Sequence, residues 1–287
     1  MGLYRIGPLD PPFPPVRIKG MANLLFFLLV CIPPQEEGQL LEWVEQLGAD
    51  YQEERVEAAK KLEKVGKKAE SQLIEGIEHE DYRVRGSCIR ILTLLKSPSA
   101  REPIGSVFRN PEEDLDVQQK AFGYLIDMGK GAEDNLIEAL DRSRKEFRLG
   151  ALMALRKMKS TKCAGRVAQL YEQEEEKVVK AAAFECLKNL GKVAQPYLLD
   201  LLASQDSMVR EGAITGLRNI NVKEKDPVVV EKVGILFRNE VDRSALLAAF
   251  RFLRECGPLA EPHFVAGLKS IQENVQEKSL EGLIKLK

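Results

Sequence analysis

A pattern of apolar positions spanning thirteen residues recurs eight times along the chain. Counted from position 0, the apolar or small residues fall mostly at positions 0, 4, 7, 8 and 11, which share one face of a helix with about 3.6 residues per turn. The copies begin 30 to 36 residues apart, at Glu54, Val84, Val117, Phe147, Val179, Val209, Ala245 and Val275. Self-similarity at this period indicates a solenoid of stacked repeats.

A second helix is predicted after each copy except the last. Apolar residues recur beyond the pattern at intervals of four, as in Ala69, Leu73 and Ile77. Position 12, where a left-handed helix terminator is expected, is glycine in four copies: Gly66, Gly129, Gly191 and Gly257. We therefore predict an all-α fold, a right-handed α-solenoid (superhelix) of about eight two-helix repeats.

Two polar positions also recur. An aspartate that can cap the helix start stands three residues before position 0 in four copies: Asp81, Asp114, Asp206 and Asp242. A base stands one residue after position 0 in five copies: Arg55, Arg85, Arg148, Lys180 and Arg210.

The segments Asp-Tyr-Arg-Val-Arg at 81–85 and Asp-Ser-Met-Val-Arg at 206–210 resemble the short HEAT-like repeat of the phycobilin lyase type. The resemblance covers about residues 50–287. It implies a structural role for Asp81, Arg85, Asp206 and Arg210, because in that family the Asp and Arg form a ladder between neighbouring repeats. The seventh copy has Leu246 in place of the base, so a continuous ladder is not expected there. The family includes scaffolds, lyases and a few enzymes, so the resemblance indicates a fold rather than a function.

The chain before the repeats divides into two segments. Residues 1–20 are rich in proline and are predicted to be a disordered extension. Residues 21–37 form a hydrophobic segment whose apolar run, 24–32, is too short to span a bilayer but is typical of a signal peptide. We expect an exported protein, periplasmic or associated with the envelope, with a cytoplasmic one as the alternative, and no integral membrane domain. The repeat solenoid is assigned to 38–287, with a first amphipathic helix over 39–47.

Composition and motifs argue against catalysis. Lys+Arg 43 and Asp+Glu 44 nearly cancel, so the whole chain does not attract nucleic acid or an anionic membrane. The two histidines, His79 and His263, cannot supply the several His-Glu pairs with which the HEAT-like deoxyhypusine hydroxylases bind iron. We expect no catalytic residue, no metal and no cofactor. Four cysteines fall on apolar positions and are expected to be buried: Cys88, Cys163, Cys186 and Cys256.

Position 9 gives the most specific functional signal. It is occupied, copy by copy, by Glu63, Thr93, Ile126, Arg156, Lys188, Arg218, Arg254 and Ile284. If the first helices line the concave face and stack about 8–10 Å apart, the four bases form a line roughly 30 Å long. The structural alternative is that a cation in the last turn of a helix is stabilised by the helix dipole.

Three functional hypotheses follow. The first is a non-catalytic scaffold that binds a protein partner along its concave face. The second is a protein that binds nucleic acid or an acidic ligand through Arg156, Lys188, Arg218 and Arg254. The third is a lyase or chaperone-like subunit whose last repeat, which lacks a second helix, leaves an apolar face for another protein.

Overall fold

The computed structural model describes residues 34–221 and 226–286. The Pro-rich extension and the apolar run 24–32 lie outside the described residues. The described ranges form sixteen α-helices and no strand: α1 Pro34–Gln46, α2 Gln52–Val65, α3 Glu70–Glu75, α4 Tyr82–Leu95, α5 Arg101–Arg109, α6 Leu115–Met128, α7 Glu133–Glu138, α8 Lys145–Met158, α9 Ala164–Gln173, α10 Lys177–Leu190, α11 Gln195–Asp200, α12 Ser207–Asn221, α13 Pro227–Asn239, α14 Arg243–Cys256, α15 Glu261–Gly267 and α16 Glu273–Leu286. The prediction of an all-α solenoid is confirmed.

The first helices of the repeats are the even-numbered ones, α2 to α16, and each contains one copy of the pattern. The second helices are the odd-numbered ones, α3 to α15, and several are short α segments continued by single 3-10 turns. Successive first helices contact each other more extensively than successive second helices do. This closer packing agrees with the inner position of the first helices that the resemblance implies.

The helix α1 precedes the first repeat and packs on α2. It begins at Pro34, five residues before the predicted start of the helix over 39–47. Proline suits the first position of a helix, because its φ is already helical and its missing N–H would have no partner there. The amphipathic pattern alone does not reveal such a start.

The apolar positions of the pattern form the core. Position 0 is buried in every copy except the first, where Glu54 is exposed. In the second helices Leu73, Leu136, Leu198 and Phe264 are each 0% exposed. Burial of this continuous stripe is what holds each repeat on its neighbours.

A small aromatic cluster joins the second, third and fourth repeats. The rings of Phe108, Phe122 and Phe147 lie with their centroids 5.1 to 5.3 Å apart. Phe122 also packs against Gly150, where an added Cβ would lie 2.6 Å from a ring carbon. The glycine thus allows α6 and α8 to approach closely.

The predicted helix ends are confirmed, with one difference. The carboxylates of Asp81, Asp114, Asp206 and Asp242 accept hydrogen bonds from backbone N–H groups in the first turns of their helices. The four glycines at position 12 have φ of +55° to +68° with ψ near −130°, outside the left-handed helical region. The left-handed helical conformation occurs instead at Lys96 and Lys159, which hold the same position in the second and fourth copies.

The recurring arginine after position 0 joins two loops. In Arg85, Arg148 and Arg210, Nη1 donates to the two carbonyl oxygens five and six residues earlier. Nε and Nη2 of the same side chains donate to a glutamate of the next loop, which is Glu113, Glu174 and Glu240 respectively. Each arginine therefore connects its own repeat to the following one.

The partner in this ladder differs from the one that the resemblance implied. Of the aspartates, only Asp206 bonds to the base of the preceding repeat, through Lys180 at 2.8 Å. Asp81 instead binds Arg83 in its own helix. Leu246 is a buried apolar residue, so the ladder is absent at the seventh repeat, as expected.

The ladder also affects ionisation. Burial, the largest single influence, would raise the pKa of Glu174 and of Glu240, but the hydrogen bonds from Arg148 and Arg210, the backbone N–H donors and the guanidinium charge together outweigh it, so both pKa values lie below the ordinary range. Both carboxylates are therefore charged and paired at neutral pH.

Candidate binding surface on the first helices

Three successive first helices, α2, α4 and α6, line a groove of about 640 Å³. Its lining comprises Gln52, Arg55, Val56, Ala59, Lys60, Glu63, Tyr82, Arg83, Ser87, Arg90, Asp116 and Lys120. A groove that crosses three repeats is consistent with first helices on the concave side.

The four predicted binding residues lie on the same side, in the second half of the stack. Arg156, Lys188, Arg218 and Arg254 occupy the last turns of α8, α10, α12 and α14. Arg156 and Arg254 are exposed, and Lys188 and Arg218 are half-buried. The structure therefore places all four in the last turns of four successive first helices.

Two of the four bases are paired with acids of the same surface. Nζ of Lys188 lies 2.8 Å from Oε1 of Glu185, and Nε of Arg218 lies 3.8 Å from Oε2 of Glu255. The positive charge of the four bases is thus partly neutralised.

Aromatic rings support two of the bases. Lys188 lies over Phe184 at 5.5 Å and Arg254 lies over Phe250 at 6.0 Å from the ring centroid. Both rings are at position 5, one helical turn before the base. Such cation–π contacts favour this orientation of the two side chains.

The groove of α2, α4 and α6 was missed by the sequence reasoning. Three of its bases, Lys60, Arg90 and Lys120, stand at positions 3 and 6 of the pattern, whereas the predicted binding residues all stand at position 9. The signal was weak, because position 6 holds Gly123 and Met153 in the next two copies.

The histidines and cysteines of the described residues lie in structural positions. His79 accepts a hydrogen bond from the backbone N–H of Asp81 at 2.9 Å, and His263 is buried. The four cysteines are buried, as predicted. Within residues 34–221 and 226–286, no three His, Cys, Asp or Glu side chains are grouped so as to hold a metal ion. In the same ranges no helix is long and apolar enough to cross a membrane.

An apolar surface is exposed on α16. Position 5 is 1% exposed at Leu152 and 4% at Phe250, where the next first helix covers it, but 54% at Leu280. Ile284, at position 9 of the same helix, is 64% exposed. The hypothesis of a partner at this end stays a prediction.

Comparison with protein families identifies a two-helix repeat in the middle of the chain. Residues 133–218 match the family model described as HEAT repeats. No curated protein matches the chain.

Three solved structures resemble the chain, and the first of them shares its fold. A mutant of Kap121p matches with a TM-score of 0.53 and 15% identity over 87% of this chain, which spans 33% of that protein. Human deoxyhypusine hydroxylase in complex with glycerol gives a TM-score of 0.36 and 13% identity over 88% of this chain and 99% of its own. The complex of CpcE and CpcF of phycocyanin lyase from Nostoc sp. gives 0.39 and 20% over 98% of this chain and 100% of its own.

The family match, the two-helix repeats of the structure and the shared fold agree on one assignment. The match falls within α7 to α12, and the same geometry recurs in the repeats on both sides of it. Residues 133–218 are HEAT repeats within a longer α-solenoid.

Proposed function

We propose that this protein is a non-catalytic scaffold that binds a partner protein along the concave face of its first helices. The observation that carries the proposal is the groove of about 640 Å³ across α2, α4 and α6. It follows the stacking direction over three repeats, which suits an extended segment of a partner. Solenoids commonly bind through such extended concave surfaces.

The line of Arg156, Lys188, Arg218 and Arg254 would continue this contact surface into repeats four to seven. Because aromatic rings favour one orientation of Lys188 and Arg254, these side chains lose less freedom when a partner binds. We assign these four residues to partner binding.

Nucleic acid is the second candidate, and the line of four cations is the observation that favours it. Glu185 and Glu255 stand within that line and pair with two of the bases. A phosphate backbone would be repelled by these carboxylates, whereas a protein can meet them with its own polar groups. The protein partner is therefore the preferred candidate.

The decisive experiment compares two charge-reversal variants with the same net charge. One replaces Arg156, Lys188, Arg218 and Arg254 by glutamate. The control replaces four exposed lysines in or beside the second helices by glutamate: Lys67, Lys130, Lys232 and Lys269. Each protein is used to capture partners from its native cells, and the bound complex is analysed by cross-linking mass spectrometry.

We expect the partner to be retained by the natural protein and by the control, with cross-links on the first helices, and to be lost with the first variant. Equal loss in both variants, or cross-links confined to the second helices, would contradict the proposal. Tight, strongly salt-dependent binding of DNA or RNA that is lost only with the first variant would favour the nucleic-acid candidate.

A further inference from the structure

We infer that the groove of α2, α4 and α6 binds the carboxylate side chains of an acidic segment in a partner protein. This inference rests on the proposed function, since it names the chemistry of a partner on the same concave face. It concerns different residues from the line of bases in repeats four to seven.

The groove is deep at its base because the residues there have small side chains. Ala59 and Ser87 are both part of the lining, and Gly86 lies beside Ser87 in α4. A Cβ added at Gly86 would lie 3.0 Å from Nζ of Lys120, so the lysine side chain extends across the glycine. Small residues beneath long basic ones leave room for an incoming side chain.

The lining carries an excess of positive charge. It contains five bases, Arg55, Lys60, Arg83, Arg90 and Lys120, against two acids, Glu63 and Asp116, an excess of three. The complete chain has a net charge of −1, so the excess is a local property of this groove. A concave surface of one sign concentrates ligands of the opposite sign.

Two of the five bases already have structural roles. Arg55 donates to the carbonyl oxygens of Ala49 and Asp50, and Arg83 binds Asp81. Lys60, Arg90 and Lys120 are left to contact a ligand.

The pairing of these three bases within the chain is incomplete. Arg90 uses Nη1 toward Glu63 at 2.9 Å, and its side chain remains 46% exposed. Lys120 pairs with Asp116 in an exposed contact. Exposed pairs of this kind are weak, so a second carboxylate can share the remaining N–H donors of both bases. Lys60 is exposed, and its charge acts on Glu57 of the same helix, which pairs with Lys61 at 2.8 Å.

The edges of the groove add an apolar preference. Tyr82 is 48% exposed and Val56 is 43% exposed, and both are in the lining. An aromatic or aliphatic residue beside the acids of the partner would cover them. We therefore expect a segment in which acidic residues alternate with apolar ones, in preference to a uniformly acidic one.

The test uses a fluorescein-labelled peptide of four Glu-Glu-Tyr units, with a Gln-Gln-Tyr peptide as the uncharged match, and measures fluorescence anisotropy with the complete chain. The acidic peptide is expected to bind, and the uncharged one to bind roughly tenfold more weakly or not at all. Replacing Lys60, Arg90 and Lys120 by glutamine should weaken binding of the acidic peptide roughly tenfold. The matched control replaces Lys67, Lys130 and Lys232 by glutamine and should leave binding unchanged.

The inference is overturned if the acidic peptide does not bind, if both peptides bind equally, or if the triple variant binds as tightly as its control. It is also overturned if a single-stranded oligonucleotide of equal charge binds more tightly in the same groove. Circular dichroism checks the folding of each variant. The single substitution Arg90→Gln, at an exposed side chain, gives the same comparison if the triple variant does not fold.

Failure here leaves the proposed function separately testable. If the peptide fails but partner capture still depends on the first helices, only the acidic chemistry of this groove is wrong. If capture is lost equally with the control variant of the second helices, the scaffold proposal itself is wrong.

Discussion

Arg210 holds Glu240 with two hydrogen bonds, Nε to Oε2 at 2.8 Å and Nη2 to Oε1 at 2.7 Å, and so joins the sixth repeat to the seventh. The Glu240 side chain is 3% exposed and that of Arg210 is 16% exposed. A bidentate pair in this environment is costly to break, because removal of one partner leaves the other charge buried.

Replacing Arg210 by alanine should therefore destabilise the protein by about 3 kcal/mol. The measurement is urea denaturation at pH 7 followed by circular dichroism. The control is Arg218→Ala, whose partner Glu255 is 3.8 Å away with both side chains at least one-third exposed. That substitution should lower the free energy of unfolding by less than about 1 kcal/mol. Equal losses would show that the ladder contributes no more than a surface pair.

The buried imidazole of His263 should make stability depend on pH. Burial lowers its pKa below the ordinary value of 6.5, Arg238 also lowers it, and Glu231 opposes both. The folded protein therefore favours the neutral ring, and the unfolded chain takes up the proton more readily. The neutral His263 ring therefore contributes its full share to the free energy of unfolding above about pH 6.5, and this share is lost as pH falls below that value.

We expect the urea midpoint to fall between pH 7.5 and pH 5.5, with a slope from this group of at most about 1.4 kcal/mol per pH unit. The variant His263→Gln should show a smaller fall over the same range. If the two proteins lose stability in parallel, His263 does not contribute.

Backbone conformation at Gly191 should be intolerant of a side chain. Its φ is +57° with ψ −131°, and an added Cβ would have nothing within 4 Å, so any cost comes from the backbone alone. Gly191→Ala should destabilise by about 1–3 kcal/mol. The matched control is Gly123→Ala within α6, which also has open space around the Cβ. It should stabilise by about 0.5–1 kcal/mol, because alanine favours helix. Both are measured by thermal denaturation, and effects of the same sign would refute the explanation.

The contact between Gly150 and Phe122 should be sensitive to volume. A Cβ at position 150 would lie 2.6 Å from the ring, and the ring is held by Phe108 and Phe147. Gly150→Ala should therefore cost about 1–3 kcal/mol despite its better helix propensity. Combining it with Phe122→Leu should give less than the sum of the two single losses. Strict additivity would indicate that the two residues do not share this space.

The apolar core could be read from the sequence, because position 0 and its partners keep fixed spacings inside one helix. Val84 and Val179 are buried where the pattern put them. The helix caps followed for the same reason, since Asp81 lies at a fixed distance from the helix start. These features depend on local spacing alone.

The acceptors of the ladder could not be found in this way. Glu113 stands four residues before position 0, while Glu174 and Glu240 stand five before it. They lie in turns of variable length, so they do not share one position of the repeat pattern. The resemblance pointed to the nearby aspartates instead, and only folding brings the glutamates to the arginines.

The groove was also inaccessible to sequence reasoning. It depends on side chains from three helices at different positions of the pattern, including Val56 at position 2 and Lys120 at position 3. The line at position 9 was visible because its residues share one column. Whether its bases were paired could not be known, since Glu255 lies at position 10 of the next copy.

The absence of the arginine at Leu246 has a mechanical consequence. Bidentate pairs are directional, so they hold the angle between repeats that they join, whereas apolar packing sets an angle only through shape. Between the seventh and eighth repeats the packing of Phe264 on Gly282 takes this role. The ladder therefore fixes the angle where the second, fourth and sixth repeats meet the next one, and shape alone sets the angle at α16.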